Sequence, residues 1–260
     1  MLNLLLRLAR AYSVYEWYLK NQIDLNKLPK HIGIILDGNR RWANHKMLSA
    51  LECYRLAADK VENVIDWCLE LDIQSVTLYV LSTENFNRSK EDLSAVYQVL
   101  EERLERLYHD RRVYEKEIRI KAIGKLDLLP ERIIALIQRL EDVTRDYTKH
   151  YLNLAVAYRG RTEIVESIRS IAGDIACGLI EPDRINEQMV EQHLYTYHLP
   201  NPDPDLIIRT SGEVRLSGFL LWQSAYSELI FVDTLWPEFR RIDLLRAIRT
   251  YQARQRRYGR

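Results

Sequence analysis

The sequence has 260 residues, of which 47% are apolar and 29% charged, and its formal net charge is +1 at neutral pH. This length suffices for one large α/β domain, and the composition excludes a disordered chain. The small net charge excludes a general affinity for polyanions, and the three cysteines lack the spacing of a zinc site or a disulfide framework.

Residues 1–28 are predicted to form an amphipathic helical segment, and residues 29–260 a single domain. The apolar positions that recur at helical spacing are Leu4, Leu5, Leu8, Tyr12, Tyr15 and Leu19. Arg7 and Arg10 interrupt the apolar run that a signal peptide would need, and no stretch approaches the roughly 18 apolar residues of a membrane span. The helix either packs on its own domain or a dimer mate, or it rests on a membrane surface. We therefore expect a cytoplasmic protein, with peripheral membrane association as the alternative.

Beyond residue 28, apolar β-rich runs alternate with amphipathic helical stretches. The predicted strands are Ile32–Leu36, Ser75–Val80, Ile118–Ile123, Tyr151–Val156, Leu206–Ile208 and Glu228–Phe231. The predicted helices are Glu52–Leu71, Lys90–Asp110, Pro130–Thr148, Arg161–Cys177 and Asn186–Tyr195. Strands separated by helices of this length predict one α/β domain with a central parallel sheet of about six strands flanked by helices. Ligands of such sheets bind beyond the carboxyl ends of the strands, so the residues after each strand are candidates for the site.

The segment after the first strand has the composition of an anion site. It reads Asp37-Gly38-Asn39-Arg40-Arg41-Trp42-Ala43. A glycine turn that opens a helix presents backbone N–H groups to an anion, and the guanidinium groups add donors suited to phosphate. Asp37 would be repelled by a phosphate unless Mg²⁺ lay between them, and one carboxylate plus substrate phosphates commonly binds Mg²⁺. The alternative is an ordinary turn in which Asp37 only caps the helix.

Later strand ends carry similar residues. Asn85 and Arg88 follow the second strand, and another arginine turn, Tyr158-Arg159-Gly160-Arg161, follows the fourth. The residues after the fifth strand that suit a second diphosphate are Arg209, Ser211, Gly212, Arg215 and Ser217. Each segment alone also fits a helix cap or a solvated loop. Together they predict a cleft for two phosphorylated molecules, and the sequence has neither the P-loop pattern nor the GxGxxG pattern of nucleotide sites.

Five segments, in order, resemble the signature motifs of the cis-prenyltransferases, the family of undecaprenyl diphosphate synthase. They are His31–Ala43, Ser82–Arg88, Asn153–Tyr158 with Gly160-Arg161, Asp205–Glu213 and Phe219–Leu229. The resemblance implies a homodimer in which each chain has a parallel sheet and a long apolar tunnel. It also implies a transferase that condenses an allylic prenyl diphosphate with isopentenyl diphosphate, with Mg²⁺ as cofactor, to give a Z-polyprenyl diphosphate. Helix Leu93–Leu107 is expected to form part of the tunnel wall, although its pattern also fits an ordinary core helix.

The resemblance implies roles for individual residues. Asp37 and Asn85 would act at the reacting centre, and Asp37 and Glu228 would hold the metal ion. The residues expected to bind the donor diphosphate are Gly38, Asn39, Arg40 and Arg41. The residues expected near the reacting carbons are Trp42, Tyr54, Phe86 and Arg88. The acceptor diphosphate would be bound by Arg209, Arg215 and Ser217, and Arg257-Tyr258-Gly259 resembles a tail that reaches an active site across the dimer interface.

The sequence departs from the family pattern around the donor site. The family's Gly-His-x-x-Gly element reads Cys53-Tyr54-Arg55-Leu56-Ala57, so Tyr54 replaces a histidine. Ala50, Val214 and Gly218 also replace an arginine, a histidine and an asparagine that are usual in the family. A tyrosine, with an ordinary pKa near 10, is a poor proton relay at neutral pH. We therefore expect relaxed acceptor scope, including dimethylallyl diphosphate or an alcohol.

Two other classes of function stay open at this point. A non-catalytic partner subunit of a heteromeric cis-prenyltransferase is the main rival, but such relatives tend to lose Asp37 and the neighbouring phosphate ligands. Residues 240–260 contain eight arginines and only one acid, Asp243, a charge pattern typical of nucleic-acid binding. Isoleucine and leucine interleave with these arginines as in a docked helix, so we predict no nucleic-acid partner.

Overall fold

All strands of the part of the chain that the structure describes lie in one parallel sheet. The computed structural model describes residues 2–254, with side chains from residue 11 onward. The strands are β1 (His31–Ile35), β2 (Ser75–Ser82), β3 (Ile118–Ile123), β4 (His150–Tyr158), β5 (Leu206–Arg209) and β6 (Glu228–Phe231), in the spatial order β3-β4-β2-β1-β5-β6. Every residue of β1 and of β4 is buried, and because alternate residues face opposite sides, both faces of the sheet are covered. The predicted six-stranded α/β fold is confirmed.

Helices connect the strands and cover the sheet. They are α1 (Leu2–Gln22), α2 (Asn39–Lys46), α3 (Ala50–Glu70), α4 (Lys90–His109), α5 (Arg111–Glu115), α6 (Glu131–Thr144), α7 (Gly160–Ala176), α8 (Glu187–Gln192) and α9 (Arg241–Ala253). α3 begins with a capping box, in which Ser49 and Glu52 satisfy each other's backbone N–H groups. This cap fixes the start of α3 close to the carboxyl end of β1.

Two helices end earlier than the sequence predicted. α6 ends at Thr144 rather than Thr148, because the Thr144 hydroxyl donates to the Leu140 carbonyl at 2.7 Å and accepts from the Ile120 N–H at 3.1 Å. α8 ends before Tyr195, whose N–H donates to the Glu163 carboxylate at 2.8 Å instead of continuing the helix. In both cases a contact between elements overrides the helical periodicity.

The register of the sheet brings three strand ends together. Ile35 of β1 pairs with Tyr79 of β2 on one side and with Arg209 of β5 on the other. Because the strands are parallel, the residues that follow them meet at the same edge. We call this the carboxyl edge; it is the edge at which the sequence predicted the site.

The opposite half of the sheet contains a closed polar network. The His31 ring nitrogens lie 2.9 Å from the Asn201 carbonyl oxygen and 2.8 Å from Thr77 Oγ1. Asn153 donates to the same Thr77 hydroxyl at 3.2 Å, and its Oδ1 lies 2.9 Å from His198 Nε2. This network, the amino-half cluster (His31, Thr77, Asn153 and His198), joins three strands to the segment before β5.

The N-terminal helix packs on the C-terminal helix. Leu19 is fully buried, and Arg246 of α9 donates to the Tyr15 hydroxyl at 3.2 Å. Arg241 pairs with Glu16 at 3.3 Å and with Glu70 at 2.5 Å. The predicted packing of this helix on its own domain is therefore observed, and arginines of the basic C-terminal run bind α1 and α3.

The remaining N-terminal predictions have mixed outcomes. Val14 and Trp17 on the outer side of α1 are 61% and 66% exposed, so contact of this face with a membrane surface stays a prediction. Within residues 2–254, the helices lack the length and apolar character needed to cross a bilayer. The predicted tail motif Arg257-Tyr258-Gly259 lies outside the described residues.

Candidate active site

The turn after β1 has the predicted strand, glycine and helix arrangement. The Asp37 N–H donates to Thr210 Oγ1 at 2.9 Å, and Asp37 Oδ1 accepts from the Gly38 N–H at 2.7 Å. Gly38 has φ +105°, and a Cβ there would lie 2.8 Å from the Leu235 side chain. Only glycine fits both the backbone conformation and the space. α2 begins at Asn39, so its N-terminus lies at the carboxyl edge.

Asp37 and Arg209 form an ion pair at the centre of this edge. Arg209 is only 4% exposed, and its Nη2 donates to Asp37 Oδ2 at 2.7 Å. Its Nη1 donates to Ser217 Oγ at 2.7 Å and to the Arg215 carbonyl oxygen. Within residues 11–254, the buried Arg209 Nε has no hydrogen-bond partner. The guanidinium group therefore joins the turn after β1 to the loop after β5.

The charge of Asp37 is stabilised despite its partial burial. Burial alone would raise the pKa of the carboxyl group, but the hydrogen bonds from Arg209 and the Gly38 N–H outweigh it and hold the pKa below its usual value. Asp37 is therefore ionised at neutral pH. A charged carboxylate beside a cluster of cationic and N–H donors is the arrangement that a divalent cation and an anionic ligand would share.

A second carboxylate, Glu213, lies on the same edge. Arg41 Nη2 lies 4.0 Å from Asp37 Oδ1 and 3.9 Å from Glu213 Oε1, and Arg215 also pairs with Glu213. The Arg41 and Arg215 side chains are 48% and 62% exposed. The two Arg41 pairs are long and half-exposed and therefore weak, so an anionic ligand can replace them.

The loop after β5 has an unusual backbone. The residues with positive φ in this loop are Ser211, Gly212, Ser217, Gly218 and Leu220. Three of the five are not glycine, and such conformations cost of order 1–3 kcal/mol each unless the surrounding structure holds them. Strain concentrated around Arg215 and Ser217 is typical of a loop that binds a ligand.

A cavity of about 430 Å³ extends from the carboxyl edge between α3, α4 and the sheet. The polar residues at its mouth are Asp37, Asn39, Arg40, Tyr54, Ser82, Asn85, Arg88, Arg209, Arg215 and Ser217. The apolar residues of its wall include Ala57, Val61, Ile65, Val96, Val99, Leu100, Leu104, Leu107, Leu152 and Leu154. The volume is within the range of small-molecule sites. This is the apolar tunnel that the resemblance implied, with helix α4 in its wall as expected.

Tyr54 lies at the mouth, where it accepts a hydrogen bond. Arg88 Nη1 donates to the Tyr54 hydroxyl oxygen at 3.2 Å. Burial raises the pKa of Tyr54, and the positive charge of Arg88 offsets only part of this rise. Asn85 is oriented next to this pair because its Oδ1 accepts from the Ser82 N–H at 3.1 Å. Tyr54 is therefore a neutral phenol at neutral pH.

Two aromatic residues predicted near the reacting carbons, Trp42 and Phe86, do not line the cavity. Trp42 Nε1 donates to Glu238 at 3.0 Å. Phe86 belongs to a short 3₁₀ helix, Thr83–Asn87, and packs against the apolar core. The proximity of these two aromatic side chains to the reacting carbons stays a prediction.

Glu228 lies at the opposite end of the sheet from Asp37. It is the first residue of β6 and pairs in register with Leu206, whereas Arg209 pairs with Phe231 at the carboxyl edge. Its carboxylate binds Arg254 at 2.7 Å. Within one chain Glu228 and Asp37 lie apart, because β6 runs in the same direction as β1, and the metal-binding role of Glu228 stays a prediction.

Sequence reasoning missed several charged residues of the site. Glu213 ends the motif Asp205–Glu213 but was assigned no role. Glu62 and Arg103 lie in the otherwise apolar wall of the cavity. The spacing of Glu62 and Arg103 along their helices does not differ from that of ordinary solvent-facing residues. Only the packing of α3 against α4 shows that they meet.

Comparison with known proteins gives a consistent result. Residues 35–259 match the prenyltransferase family described as "Putative undecaprenyl diphosphate synthase". A tritrans,polycis-undecaprenyl-diphosphate synthase (geranylgeranyl-diphosphate specific) from Methanopyrus kandleri is 49% identical over 253 residues, which cover 97% of this chain and 93% of the relative. The enzyme of the same name from Pyrococcus furiosus is 47% identical over 251 residues, covering 96% of this chain and 94% of the relative.

Solved structures show the same fold. Lavandulyl diphosphate synthase from Lavandula x intermedia, in complex with dimethylallyl diphosphate, has a TM-score of 0.87 and 36% identity, covering 90% of this chain and all of that one. A probable undecaprenyl diphosphate synthase from Campylobacter jejuni has a TM-score of 0.71 and 28% identity, covering 89% of this chain and 99% of that one. The chain belongs to the undecaprenyl diphosphate synthase family of cis-prenyltransferases.

Proposed function

We propose that this cis-prenyltransferase uses geranylgeranyl diphosphate as donor and isopentenyl diphosphate as acceptor, with Mg²⁺ as cofactor. The product would be a Z-polyprenyl diphosphate of undecaprenyl length. The shared name of the Methanopyrus and Pyrococcus relatives supports this donor and this length. The observation that carries the reaction type is the contact of Asp37, Arg209 and Ser217 at the mouth of an apolar cavity.

The donor diphosphate is proposed to bind at the start of α2. The N–H groups of Gly38 and Asn39 lie there with the positive end of the helix dipole, and Arg40 lines the mouth beside them. Arg41 would exchange its loose pairs with Asp37 and Glu213 for phosphate oxygens. The prenyl tail would then extend along the apolar wall of the cavity.

The acceptor diphosphate is proposed to bind beside it on the loop after β5. Arg215 is exposed and Ser217 is held by Arg209, so a diphosphate there would be bound by two guanidinium groups and a hydroxyl. The unpartnered Arg209 Nε supports this assignment, because a buried donor without a partner is costly unless a ligand satisfies it. The two diphosphates would then lie on either side of Asp37.

The residues at this edge fit Mg²⁺ only together with a substrate. Within residues 11–254, no group of three or more His, Cys, Asp or Glu side chains is arranged to hold a metal ion. Mg²⁺ usually binds through one or two carboxylates plus substrate phosphates, and Asp37, with Glu213 on the same edge, offers such a set. Bound Mg²⁺ would supply positive charge to the departing diphosphate.

In the proposed reaction the C1–O bond of the donor breaks and its diphosphate leaves. A bond then forms between donor C1 and the terminal alkene carbon C4 of the acceptor, which leaves positive charge on C3. A proton passes from acceptor C2 to the departed diphosphate, and a double bond forms between C2 and C3. The Asn39 N–H at the start of α2 and the arginines stabilise the charge that develops on the leaving diphosphate. The apolar cavity excludes water from the allylic cation, and Asn85, oriented by Ser82, positions the reacting groups.

Product analysis with a panel of donors tests this function. Purified protein would be incubated with Mg²⁺, labelled isopentenyl diphosphate and allylic diphosphates from dimethylallyl to geranylgeranyl. We expect the highest kcat/KM with geranylgeranyl diphosphate, products of undecaprenyl length by mass spectrometry, and loss of turnover with EDTA. A preference for a shorter donor would contradict the donor assignment, and absence of product with every donor would contradict the reaction.

Relaxed acceptor scope is the second candidate. Tyr54 stands where the family has a histidine, and its hydroxyl is engaged by Arg88. One similar solved structure is that of a lavandulyl diphosphate synthase in complex with dimethylallyl diphosphate. An assay that offers dimethylallyl diphosphate or an alcohol in place of isopentenyl diphosphate decides this point. Turnover with isopentenyl diphosphate as the only accepted acceptor would contradict relaxed acceptor scope.

We also propose that the enzyme acts as a homodimer and does not depend on a different partner subunit. Asp37, Arg209 and Arg215 are all present and in contact through one network, as an active subunit requires. Light scattering on purified protein should give the mass of two chains. An inactive homodimer whose activity returns with a second protein would favour the partner-subunit alternative.

A further inference from the structure

A group of charged side chains crosses the cavity wall between α3 and α4. Arg103 on α4 donates through Nη1 to Glu62 Oε1 at 2.7 Å, and its Nη2 lies 2.7 Å from Asp59 Oδ1. The same Nη2 donates to the carbonyl oxygen of Arg55 at 3.2 Å. We call Asp59, Glu62 and Arg103 the α3–α4 latch. It is unusual because Glu62 and Arg103 line the cavity among apolar residues.

Neighbouring ion pairs extend the contact along both helices. Arg106 Nη2 lies 3.3 Å from Glu62 Oε2, and Arg55 binds Glu102 through two hydrogen bonds of 3.0 and 2.6 Å. The two helices are therefore joined by a row of charge pairs next to the apolar residues of the cavity wall. Moving α3 away from α4 would break these pairs together.

The latch lies partway along the path of the tail. Glu62 is eight residues after Tyr54 at the mouth, which corresponds to about 12 Å along α3. Ile65, Leu104 and Leu107 continue the apolar wall beyond it. A tail that enters at the mouth therefore reaches the latch before the end of the cavity.

The latch is sheltered enough for its charges to matter. The Arg103 and Glu62 side chains are 19% and 21% exposed, so both are partly removed from water. A hydrocarbon chain can lie against a closed ion pair, but parting the pair would leave desolvated charges next to the chain. The closed latch therefore resists the sideways widening that a longer tail would require.

We propose that Arg103, held by Glu62 and Asp59, is a specificity-determining residue that limits the length of the prenyl tail the cavity accepts. The proposal rests on the proposed function, because it assumes that the cavity binds a prenyl tail. The limit is set by the charge pairing between two helices and not only by the volume of the side chains. A neutral pair of similar volume would let the wall yield to longer tails.

The test uses a double variant and a matched control. Glu62→Gln with Arg103→Met removes both charges but keeps side chains of similar length, and replacing such a pair by neutral groups is often compatible with folding. Arg112→Met is the control, because Arg112 binds Asp66 of α3 at 2.5 Å but does not line the cavity. Glu62→Gln alone is a milder variant that tests the latch if the double variant does not fold.

The first readout is binding of unreactive prenyl thiodiphosphates of increasing chain length, which needs no turnover. We expect wild type and Arg112→Met to lose affinity by tenfold or more beyond one tail length. The double variant should move that limit by at least one isoprene unit. Product mass with geranylgeranyl diphosphate should shift to longer chains by the same amount, with Glu62→Gln showing a smaller shift.

Identical limits in wild type and both latch variants would overturn the proposal. The proposal would also be overturned if Arg103→Ala accepted longer tails while the Glu62→Gln/Arg103→Met variant kept the wild-type limit. Side-chain volume alone would then set the tail length. If the wild type binds tails up to a limiting length but makes no product, the proposed reaction fails while the binding limit still reports on the latch. If it binds none of them, the latch proposal falls with the proposed function.

Discussion

Two polar clusters are buried at opposite ends of the same sheet, and they differ in how completely their hydrogen bonds are satisfied. In the amino-half cluster, both ring nitrogens of His31 and of His198 lie within 3.1 Å of a partner. At the carboxyl edge, Asn39 Oδ1 and Arg209 Nε are buried without a partner in the described chain. Because unsatisfied buried groups are rare in folded proteins, the contrast separates a cluster that holds the fold from one prepared for a ligand.

The clusters also differ in charge. Burial lowers the pKa of His31 and of His198 to about 4, so both imidazoles are neutral at neutral pH. Asp37 stays charged, because hydrogen bonds from Arg209 and from the Gly38 N–H stabilise its carboxylate. Neutral groups whose hydrogen bonds are satisfied by one another favour a single structure. Paired charges near solvent can instead give up a contact within the protein for a contact with a diphosphate.

The largest effect is expected from Asp37→Asn. Removing one charged group that stabilises the leaving diphosphate should lower kcat by on the order of 10²–10³-fold. The amide still accepts a hydrogen bond from Arg209, so we expect the thermal unfolding midpoint to change little. Steady-state kinetics over a Mg²⁺ titration measure the loss. Asp127→Asn, at an exposed carboxylate far from the cavity, should behave as wild type, and equal kcat values for the two variants would remove Asp37 from the site.

The next effect concerns acid stability and the amino-half cluster. The unfolded chain, whose histidines have pKa values near 6.5, binds more protons than the native state, where the pKa of His31 and His198 is about 4. The free energy of unfolding should therefore fall as the pH drops from 6.5 to 4, by about 3 kcal/mol for fully buried His31 and less for partly exposed His198.

Urea unfolding at a series of pH values measures this slope. His198→Asn should flatten it over the same range without changing kcat at neutral pH, since the cluster is remote from the carboxyl edge. His45→Gln, at an exposed position, should leave the slope unchanged. A slope that does not respond to His198→Asn would show that other groups carry the acid sensitivity.

A smaller effect is expected from Arg215→Ala at the carboxyl edge. Loss of one charge-assisted hydrogen bond to the acceptor diphosphate, worth roughly 1.5 kcal/mol, should raise the KM for isopentenyl diphosphate about tenfold. The KM for the donor should stay within twofold of wild type, because Arg215 is assigned to the acceptor alone. Arg145→Ala, at an exposed position just after α6, is the control. Equal increases in both KM values would argue against two separate diphosphate sites.

The carboxyl edge was predictable because it follows from strand direction. Asp37 and Arg209 are 172 residues apart, yet both follow strands that alternate with helices, and parallel strands place such residues together. The buried, β-branched run of β1 made the strand itself evident. Glu228 shows the limit of this reasoning, since it begins a strand rather than following one and therefore lies at the other edge.

The latch was not predictable, because it depends on how two helices pack. Glu62 and Arg103 are 41 residues apart on separate helices, and each looks like an ordinary surface charge in its own sequence context. Trp42 and Phe86 illustrate the same point at the site, since the side-chain contacts of these residues cannot be read from the motifs that contain them. Their side-chain directions are set instead by Glu238 and by the apolar core.

The smallest effect is expected from Tyr54→Phe, at the position where the family has a histidine. The change removes only the hydrogen bond from Arg88, worth about 1 kcal/mol, so kcat/KM for the donor should fall roughly fivefold. Since burial raises the pKa of Tyr54, its phenol is protonated across the working pH range, and the pH profile of kcat/KM should keep its shape.

Tyr54→His is the informative partner of that variant. An imidazole near its ordinary pKa of 6.5 would add a titrating group at the mouth and introduce an inflection that wild type and Tyr54→Phe lack. Profiles measured for all three proteins on one buffer series compare them directly. If Tyr54→Phe shifted the inflections of the pH profile, the Tyr54 phenol would take part in proton transfer. The carboxyl edge would then contain a titrating group, which contradicts a phenol that stays protonated across the working pH range.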